Sequence, residues 1–138
     1  MPMLQETLGL DDAAMAVKAA LAQAEVLGVA CSVAIVDAGG HLIAFARRDR
    51  ARIATVELAI NKAFSARIFD TGTAELGALA KPGAELYGIQ HSHDGRSIIF
   101  GGGLPIRSNG MTIGAVGVSG GSVQQDVDIA SAAISLYA

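Results

Sequence analysis

The chain of 138 residues contains no tryptophan, three prolines and one cysteine, and its only other aromatic residues are four Phe and two Tyr. A core built from this composition must rely on Ala, Val, Ile and Leu, so we expect closely packed layers. The lone cysteine, Cys31, excludes an internal disulfide, and its apolar surroundings favour a buried structural thiol. No apolar run approaches the roughly 20 residues that a membrane-spanning helix needs, so we expect no membrane association.

The charge of the chain is also modest. The formal net charge is −3, which provides no general attraction for nucleic acid. Four arginines crowd one segment, Arg47 to Arg52, but no aromatic residue is interleaved with them, so a solvated loop or a subunit contact is favoured. The first nine residues lack the basic and apolar regions of a secretory signal, and we expect a cytoplasmic protein.

The length predicts a single domain over residues 1–138. Four helices are predicted: residues 11–27, residues 55–69, residues 73–80 and a last helix that Ser122 caps. Asp11 or Asp12 is expected to cap the first helix, with Gly28 as its C-terminal stop. Two apolar faces are expected to point inward, one on the first helix (Ala14, Val17, Leu21, Ala24) and one on the last (Val123, Val127, Ala130, Ile134).

Strand patterns fill the rest of the chain. They cover residues 29–36, 41–47, 97–100, 104–107 and 111–119. Asp37-Ala38-Gly39-Gly40 and Asn109-Gly110 are typical hairpin turns. Because hairpins rather than crossovers join most strands, the sequence predicts an α+β fold with an antiparallel sheet of about five strands packed with helices.

The glycine placement carries a family resemblance. Glycine is concentrated in Gly101-Gly102-Gly103-Leu104-Pro105 and again in the stretch from Gly114 to Gly121, and Asn61-Lys62-Ala63 adds a third motif. These residues resemble the GlcG/HbpS family, which includes haem-binding or haem-degrading proteins and the C-terminal module of PduO-type proteins. The resemblance covers nearly the whole chain. It implies a profilin-like α/β sandwich that assembles into homo-oligomers, with haem as the ligand most readily suggested.

Two of the three histidines lie in Gln90-His91-Ser92-His93-Asp94. In an extended backbone His91 and His93 would project from the same face, where they could share a divalent metal, ligate haem or act as an acid/base pair. A metal would need a third ligand from a distant position, such as His41, Asp37 or Glu57. A solvent-exposed polar loop is the alternative.

The second helix carries a polar group. Glu57, Asn61 and Ser65 recur at a spacing of four residues along one face, and Lys62 lies beside apolar neighbours. A solvent-facing side would account for this pattern. A partly desolvated Lys62 that holds an acidic ligand group would account for it equally well, and burial would decide between the two.

Gly117-Val118-Ser119-Gly120-Gly121 fits the G-x-S-x-G pattern of a nucleophile elbow. We reject that assignment, because no histidine follows His93 and the chain is too short for a hydrolase sheet. The glycines instead favour a tight turn into the helix at Ser122. The free N–H groups of that helix terminus could accept a carboxylate or a haem propionate.

The leading hypothesis is therefore a small-molecule-binding protein whose ligand is haem, another tetrapyrrole or a small carboxylate. The expected site lies between the second helix, the loop from Tyr87 to His93 and the turn from Gly101 to Pro105. Its candidate ligand-binding residues are Asn61, Lys62, Phe64, Arg67, Tyr87, Gln90, Gly102, Gly103 and Pro105. The alternative is a lyase or isomerase for a small hydroxy or aromatic acid, with His91, His93 and Glu57 as candidate catalytic residues. A third hypothesis is an assembly protein without chemistry.

Overall fold

The protein, described over residues 1–137 by a computed structural model, combines helices with one antiparallel sheet. The helices are α1 (Leu10–Leu27), α2 (Ala54–Phe69), α3 (Thr73–Ala80) and α4 (Val123–Ile134), and the strands are β1 (Ser32–Asp37), β2 (Leu42–Arg47), β3 (Gly103–Ser108) and β4 (Met111–Ser119). The predicted α+β class is confirmed. The predicted number of strands is wrong, since residues 1–137 contain four and not about five.

The strand order is β2-β1-β4-β3, and every neighbouring pair is antiparallel. Both predicted hairpins are present, one joining β1 to β2 and one joining β3 to β4. Asn109 and Gly110 in the second turn have φ values of 51° and 77°. Two successive positive φ angles match the right-handed twist of the flanking strands, which is why Asn-Gly predicts this turn.

The missing strand is the predicted segment 97–100. It runs alongside α2 without pairing in the sheet, and the Ile98 N–H donates to the Ser65 hydroxyl at 2.9 Å. A side chain of α2 thus takes the hydrogen bond that a neighbouring strand would have supplied. The segment leads directly into Gly101 and Gly102, and β3 begins at Gly103.

Helices cover both faces of the sheet. α1 and α4 pack over Val33, Ile35 and the alternate residues of β4, and α2 packs over Ala34 and Val36. Gly117 of β4 allows α2 to approach closely, because a Cβ there would collide with the Ala59 carbonyl oxygen and would lie 2.5 Å from the Ala63 nitrogen. This close packing fixes α2 against the end of β4, where the candidate site lies.

The inward faces of α1 and α4 agree with the prediction only in part. Ala24 and Ala130 are buried and Val17, Leu21 and Ile134 pack partly buried against the core, whereas Ala14 and Val123 are exposed. The buried residues are Ala13, Ala16, Ala20 and Ala24 on α1 and Asp126, Ile129, Ala130 and Ala133 on α4. The fully buried residues of α1 are all alanines, because the closely packed layers leave no room there for larger side chains. The expected Asp11 or Asp12 cap is also wrong, since Gly9 is the N-cap, whereas Gly28 ends α1 at φ 68° as predicted. None of the helices described in residues 1–137 is long and apolar enough to cross a membrane.

Candidate functional site

An open cleft of about 250 Å³ lies where α2, the end of β4 and the start of α4 meet. Its lining comprises Arg52, Ala54, Thr55, Leu58, Lys62, Phe100, Ser119, Gly120, Gly121, Val123 and Asp126, and we call it the Lys62 cleft. Two ionisable groups in its wall, Lys62 and Asp126, are almost fully buried. The cleft therefore combines open space with desolvated charge.

Lys62 extends from α2 towards the end of β4. Its side chain is 1% exposed, and Nζ donates to the Val118 carbonyl oxygen at 2.8 Å and to Asp126 Oδ2 at 3.3 Å. Nζ also lies 4.9 Å from the centre of the Phe100 ring, which is a cation–π distance. Burial decides the alternative left open by the sequence: Lys62 is an interior residue and does not lie on a solvated face.

Burial opposes ionisation of both members of this pair. It lowers the pKa of the Lys62 ammonium, although the neighbouring Asp126 carboxylate acts in the opposite direction. Burial likewise raises the pKa of Asp126. The Gly121 N–H and Lys62 act in the opposite direction and lower it, because they stabilise the carboxylate. The free-energy cost of moving a proton from Nζ to the carboxylate is therefore smaller here than between an exposed lysine and an exposed aspartate.

The glycine run packs around Lys62. A Cβ on Gly102, whose φ is 127°, would lie 2.7 Å from Lys62 Nζ, and a Cβ on Gly103 would collide with the Lys62 carbonyl oxygen. The Gly103 N–H donates to Thr73 Oγ1 at 2.9 Å. The run is thus needed for close approach to the lysine. Gly102, Gly103 and Pro105, predicted as ligand contacts, are buried and do not line the Lys62 cleft.

Asp126 is held by the turn that precedes α4. The Gly121 N–H donates to Asp126 Oδ1 at 2.9 Å, while Ser122 and Gln125 form a capping box. The predicted cap at Ser122 is confirmed. The predicted free N–H groups are not found at Gly121, Ser122 and Gln125, because each of these donates to a side-chain oxygen. These three N–H groups are therefore occupied by side chains of the helix start itself.

The mouth of the Lys62 cleft is positively charged. Arg52 belongs to its lining and also to a wider groove of about 450 Å³ that shares Gly120 and Gly121 and reaches Arg50. Both arginines are exposed, and within residues 1–137 neither forms an ion pair. Phe100 is 41% exposed at the same cleft. Two free guanidiniums and an aromatic ring thus face an approaching ligand.

The histidines lie in a different place. His91 and His93 belong to two successive 3-10 turns, at Ile89–His91 and His93–Gly95, so the extended backbone expected for them is wrong. His93 has a positive φ of 57°, and its Nδ1 lies 3.1 Å from Ser92 Oγ and 3.3 Å from Ser97 Oγ. We call residues 88–98 the histidine loop. Neither histidine lines the Lys62 cleft.

The histidine loop packs on the outer side of α2. The Arg96 guanidinium lies 3.7 Å from the centre of the Phe64 ring, and its Nε donates to Asn61 Oδ1 at 3.2 Å. Ser65 Oγ donates to the Asn61 and Arg96 carbonyl oxygens at 2.7 and 3.0 Å. Asn61 and Ser65 are therefore buried attachment points for the loop, and the solvated polar face that could have accounted for them is excluded.

The remaining candidates are scattered. Glu57 is exposed on α2, and Arg67 is engaged by the Ala38 carbonyl oxygen and Asp70. Tyr87 is 62% exposed, while Gln90 Oε1 accepts from the Gly88 N–H at 3.0 Å within its own loop. The structure does not bring these four residues to the Lys62 cleft. Their predicted roles in binding or catalysis stay predictions.

Sequence reasoning missed Asp126 as a site residue. A detectable signal was present, because Asp126 precedes the apolar Ile129 and Ala130 by three and four residues, which places it on their face of the helix. A carboxylate on the buried face of a helix needs a partner, and Lys62 is that partner. Arg52 was noticed only as one member of an arginine cluster.

The donor set fits haem better than a divalent metal. Within residues 1–137 no group of three His, Cys, Asp or Glu side chains is close enough to hold a metal ion, so the structure does not support the predicted metal site. Haem presents two propionates and a flat apolar ring. The free guanidiniums of Arg50 and Arg52 suit the propionates, and the exposed face of Phe100 suits the ring.

Comparison with known sequences agrees with the resemblance noted above. The sequence model of a family described as "Haem degrading protein HbpS-like" matches residues 8–135. The chain belongs to the HbpS-like family. It is 40% identical over 131 residues to an uncharacterised 15.0 kDa protein from the dhaT-dhaS intergenic region of Citrobacter freundii, covering 95% of this chain and 92% of that protein. It is also 42% identical over 118 residues to the corrinoid adenosyltransferase PduO of the same organism, covering 86% of this chain but only 35% of PduO.

Solved structures of HbpS-like proteins share the fold. Klebsiella pneumoniae ORFY superposes with a TM-score of 0.95 at 39% identity, covering 97% of this chain and 92% of that chain. A PduOC–haem complex superposes with a TM-score of 0.89 at 40% identity, covering 94% of each chain. HbpS of Streptomyces reticuli, as a double mutant, superposes with a TM-score of 0.90 at 26% identity, covering 99% of this chain and 91% of that one. One of these relatives was thus crystallised with haem.

Proposed function

We propose that this HbpS-like protein binds a small carboxylate-bearing ligand in the Lys62 cleft, and that haem is such a ligand. The observation that carries the proposal is the free guanidinium of Arg52 at a cleft whose wall contains a buried lysine, with the free guanidinium of Arg50 in the adjoining groove. Guanidinium groups bind carboxylates through two parallel hydrogen bonds, which gives both affinity and orientation. The complex of the relative PduOC with haem supports haem in particular.

Haem would place its propionates at the two arginines and one face of its ring against Phe100. When bound, haem supplies redox-active iron, whereas the residues of this chain orient the molecule and neutralise its carboxylates. The lining of the Lys62 cleft contains no histidine. The proposal therefore does not depend on His91 or His93 as an axial ligand.

Titration with haemin tests the proposal. We expect a saturable shift of the Soret band in the unmodified protein and an affinity about ten- to a hundredfold weaker in Arg52→Ala, because a hydrogen bond to a charged group contributes about 1.5–3 kcal/mol. Arg47→Ala is the matched control, since Arg47 is exposed and lies outside both grooves. A saturable shift that Arg52→Ala leaves unchanged would place haem elsewhere, and no shift would remove haem from the proposal.

The small-carboxylate class has a separate test. We expect glycolate or succinate to reduce haemin binding by competition in the unmodified protein, and calorimetry to detect weaker binding of these acids to Arg52→Ala. Absence of both competition and calorimetric binding would reject the wider proposal. Because calorimetry does not depend on iron, the two classes of ligand are judged independently.

We also propose that copies of the chain associate. Several large apolar side chains are exposed. Met15 and Val26 on α1 are 58% and 78% exposed, and Tyr87 before the histidine loop is 62% exposed. Self-association would remove such surface from water. Light scattering coupled to size-exclusion chromatography measures the mass directly, and a monomer at all concentrations would reject this part of the proposal.

A further inference from the structure

A fully buried lysine needs an explanation beyond stability. Lysine is almost never fully buried unless it is paired, and an ion pair in the interior is often no more stable than apolar side chains of the same volume. Lys62 is nevertheless only 1% exposed, and it forms a desolvated ion pair with Asp126. Lys62 is also one of the residues that line an open cleft. The combination of desolvation, a carboxylate partner and an adjoining cleft is what a nucleophilic amine requires.

The surroundings of Nζ provide an acceptor for its proton. The Asp126 carboxylate lies 3.3 Å away and can take up the proton that Nζ must lose. Desolvation lowers the pKa of Lys62 and raises the pKa of Asp126, so it favours the uncharged form of both partners. Leu58 and Phe100 add apolar surface to the lining of the same cleft.

The mouth of the cleft defines which electrophile could reach this amine. Arg52 lines the same cleft and can hold a carboxylate, so a carbonyl group attached close to that carboxylate would be directed inwards to Nζ. The matching chemical class is that of the small 2-oxo acids and aldehyde acids, of which glyoxylate and pyruvate are the simplest. A cleft of about 250 Å³ has room for molecules of this size.

We propose that Lys62 forms a Schiff base with a small 2-oxo or aldehyde acid whose carboxylate is held by Arg52. This inference rests on the proposed function, because it names a substrate class for the same cleft. Asp126 serves as the proton acceptor and then as the counter-ion of the product.

The reaction balances without a further reagent. Lys62 transfers a proton to Asp126, and the neutral amine attacks the carbonyl carbon. A C–N bond forms, the C=O π bond breaks, and a proton passes from the nitrogen to the carbonyl oxygen, which becomes a hydroxyl. Asp126 returns its proton to that hydroxyl, which leaves as water while the nitrogen lone pair forms the C=N bond. In sum, a carbonyl and an ammonium give a protonated imine and one water, with Asp126 again a carboxylate beside the new cation.

Reductive trapping tests the inference, and the chain suits this test because it contains only three lysines, Lys18, Lys62 and Lys81. The folded protein is incubated with glyoxylate and cyanoborohydride, and the carboxymethylated lysines are mapped by peptide mass spectrometry. We expect Lys62 to be modified several-fold faster than the exposed Lys18 and Lys81, to saturate with glyoxylate, and to be protected by glycolate, which has the carboxylate but no aldehyde. Modification of Lys62 no faster than that of the exposed lysines would overturn the inference.

Variants separate this inference from the proposed function. Arg52→Ala should raise the glyoxylate concentration for half-maximal labelling of Lys62 and leave Lys18 unaffected, while Asp126→Asn, with its fold checked by circular dichroism, should slow labelling of Lys62 alone. Equal effects on all three lysines would contradict the proposed roles. If glycolate and haemin bind and compete while Lys62 is not labelled, the Schiff base is rejected and the binding function stands. If neither ligand binds and Lys62 is not labelled, both proposals fall.

Discussion

The Lys62 cleft and the histidine loop both place polar side chains against α2, but they hold them in different ways. Lys62 and Asp126 are 1% and 4% exposed, and they meet across 64 residues of sequence at the end of the sheet. His91 and His93 are exposed, and His93 bonds to hydroxyls within five residues of itself. The histidine loop has the more conspicuous sequence, but its hydrogen-bond partners lie close in sequence and need no particular fold to meet. The Lys62–Asp126 pair forms only when the fold brings distant residues together.

The comparison assigns different consequences to mutation. Changes in the Lys62 cleft should disturb both folding and ligand binding, because its charges are desolvated and its backbone is closely packed. Changes in the histidine loop should disturb neither strongly.

Asp126→Ala should lower the free energy of unfolding by about 3–5 kcal/mol, because it leaves Lys62 as an uncompensated buried charge. Urea denaturation measures the change. Asp128→Ala is the matched control on the same helix. Asp128 is exposed and bonds only to the Gln124 side chain, so its loss should cost less than about 0.5 kcal/mol. Equal losses of unfolding free energy in the two variants would mean that the Lys62–Asp126 pair stabilises the fold no more than an exposed side chain does.

Two glycines, Gly117 in β4 and Gly95 in the histidine loop, differ in how closely their surroundings are packed. Gly117→Ala should cost about 3 kcal/mol, since the new methyl group would collide with the backbone of α2 at Ala59 and Ala63. Gly95→Ala in the histidine loop should cost about 1–2 kcal/mol, because a Cβ there meets open space and only the positive φ of 79° is unfavourable. Thermal unfolding of the two variants ranks them, and the reverse order would refute the close approach of α2 to β4.

The Cys31 thiol makes the free energy of unfolding depend on pH in the alkaline range. It is buried beside Gly120, and burial raises the pKa of its thiol from 9.0 to about 11. The unfolded chain loses this proton above pH 9.0 while the folded chain retains it, so the unfolded state binds fewer protons and the free energy of unfolding falls as pH rises. The loss should reach about 2–3 kcal/mol near pH 11.

The difference between the unmodified protein and Cys31→Ala isolates this effect from lysine and tyrosine titration. Stability measured by urea denaturation at several pH values should diverge between the two proteins above pH 9.0 and not below it. Parallel curves throughout would show that the thiol is not desolvated in the folded state.

His91→Ala and His93→Ala should have the smallest effects. Each should change stability by less than about 1 kcal/mol, since Ser92 and Ser97 remain hydrogen-bonded to each other at 2.7 Å. Neither should alter haemin affinity, because the side chains lie outside the Lys62 cleft. A marked loss of haemin binding in either variant would transfer the ligand to the histidine loop and reverse the comparison.

Local patterns predicted much of the fold. Asn109-Gly110 identified its hairpin and Ser122 its helix cap, because turn and cap preferences depend on neighbouring residues alone. The segment 97–100 was mispredicted because its alternative partner, the Ser65 hydroxyl, is remote in sequence. The inward face of α1 was predicted only in part, for another reason. A helix rich in alanine presents several faces of similar polarity, and only the packing distance selects the one with the smallest side chains.

The candidate site was predictable only in part. Lys62 was recognised as a residue whose role depends on burial, and the glycine run was expected near a pocket. Its partner Asp126 was not recognised, since the pairing depends on how α4 meets α2 at the end of β4. Arg52 and Phe100 join the site for the same reason, because no local pattern relates either of them to Lys62.

The most direct test of the Lys62 cleft as the binding site is a crystal structure of the protein grown with haemin or glycolate. We expect a carboxylate within hydrogen-bonding distance of the Arg52 guanidinium, with the remainder of the ligand extending towards Phe100 and Lys62. A ligand seated on His91 or His93, with no ligand atom in the Lys62 cleft, would contradict it.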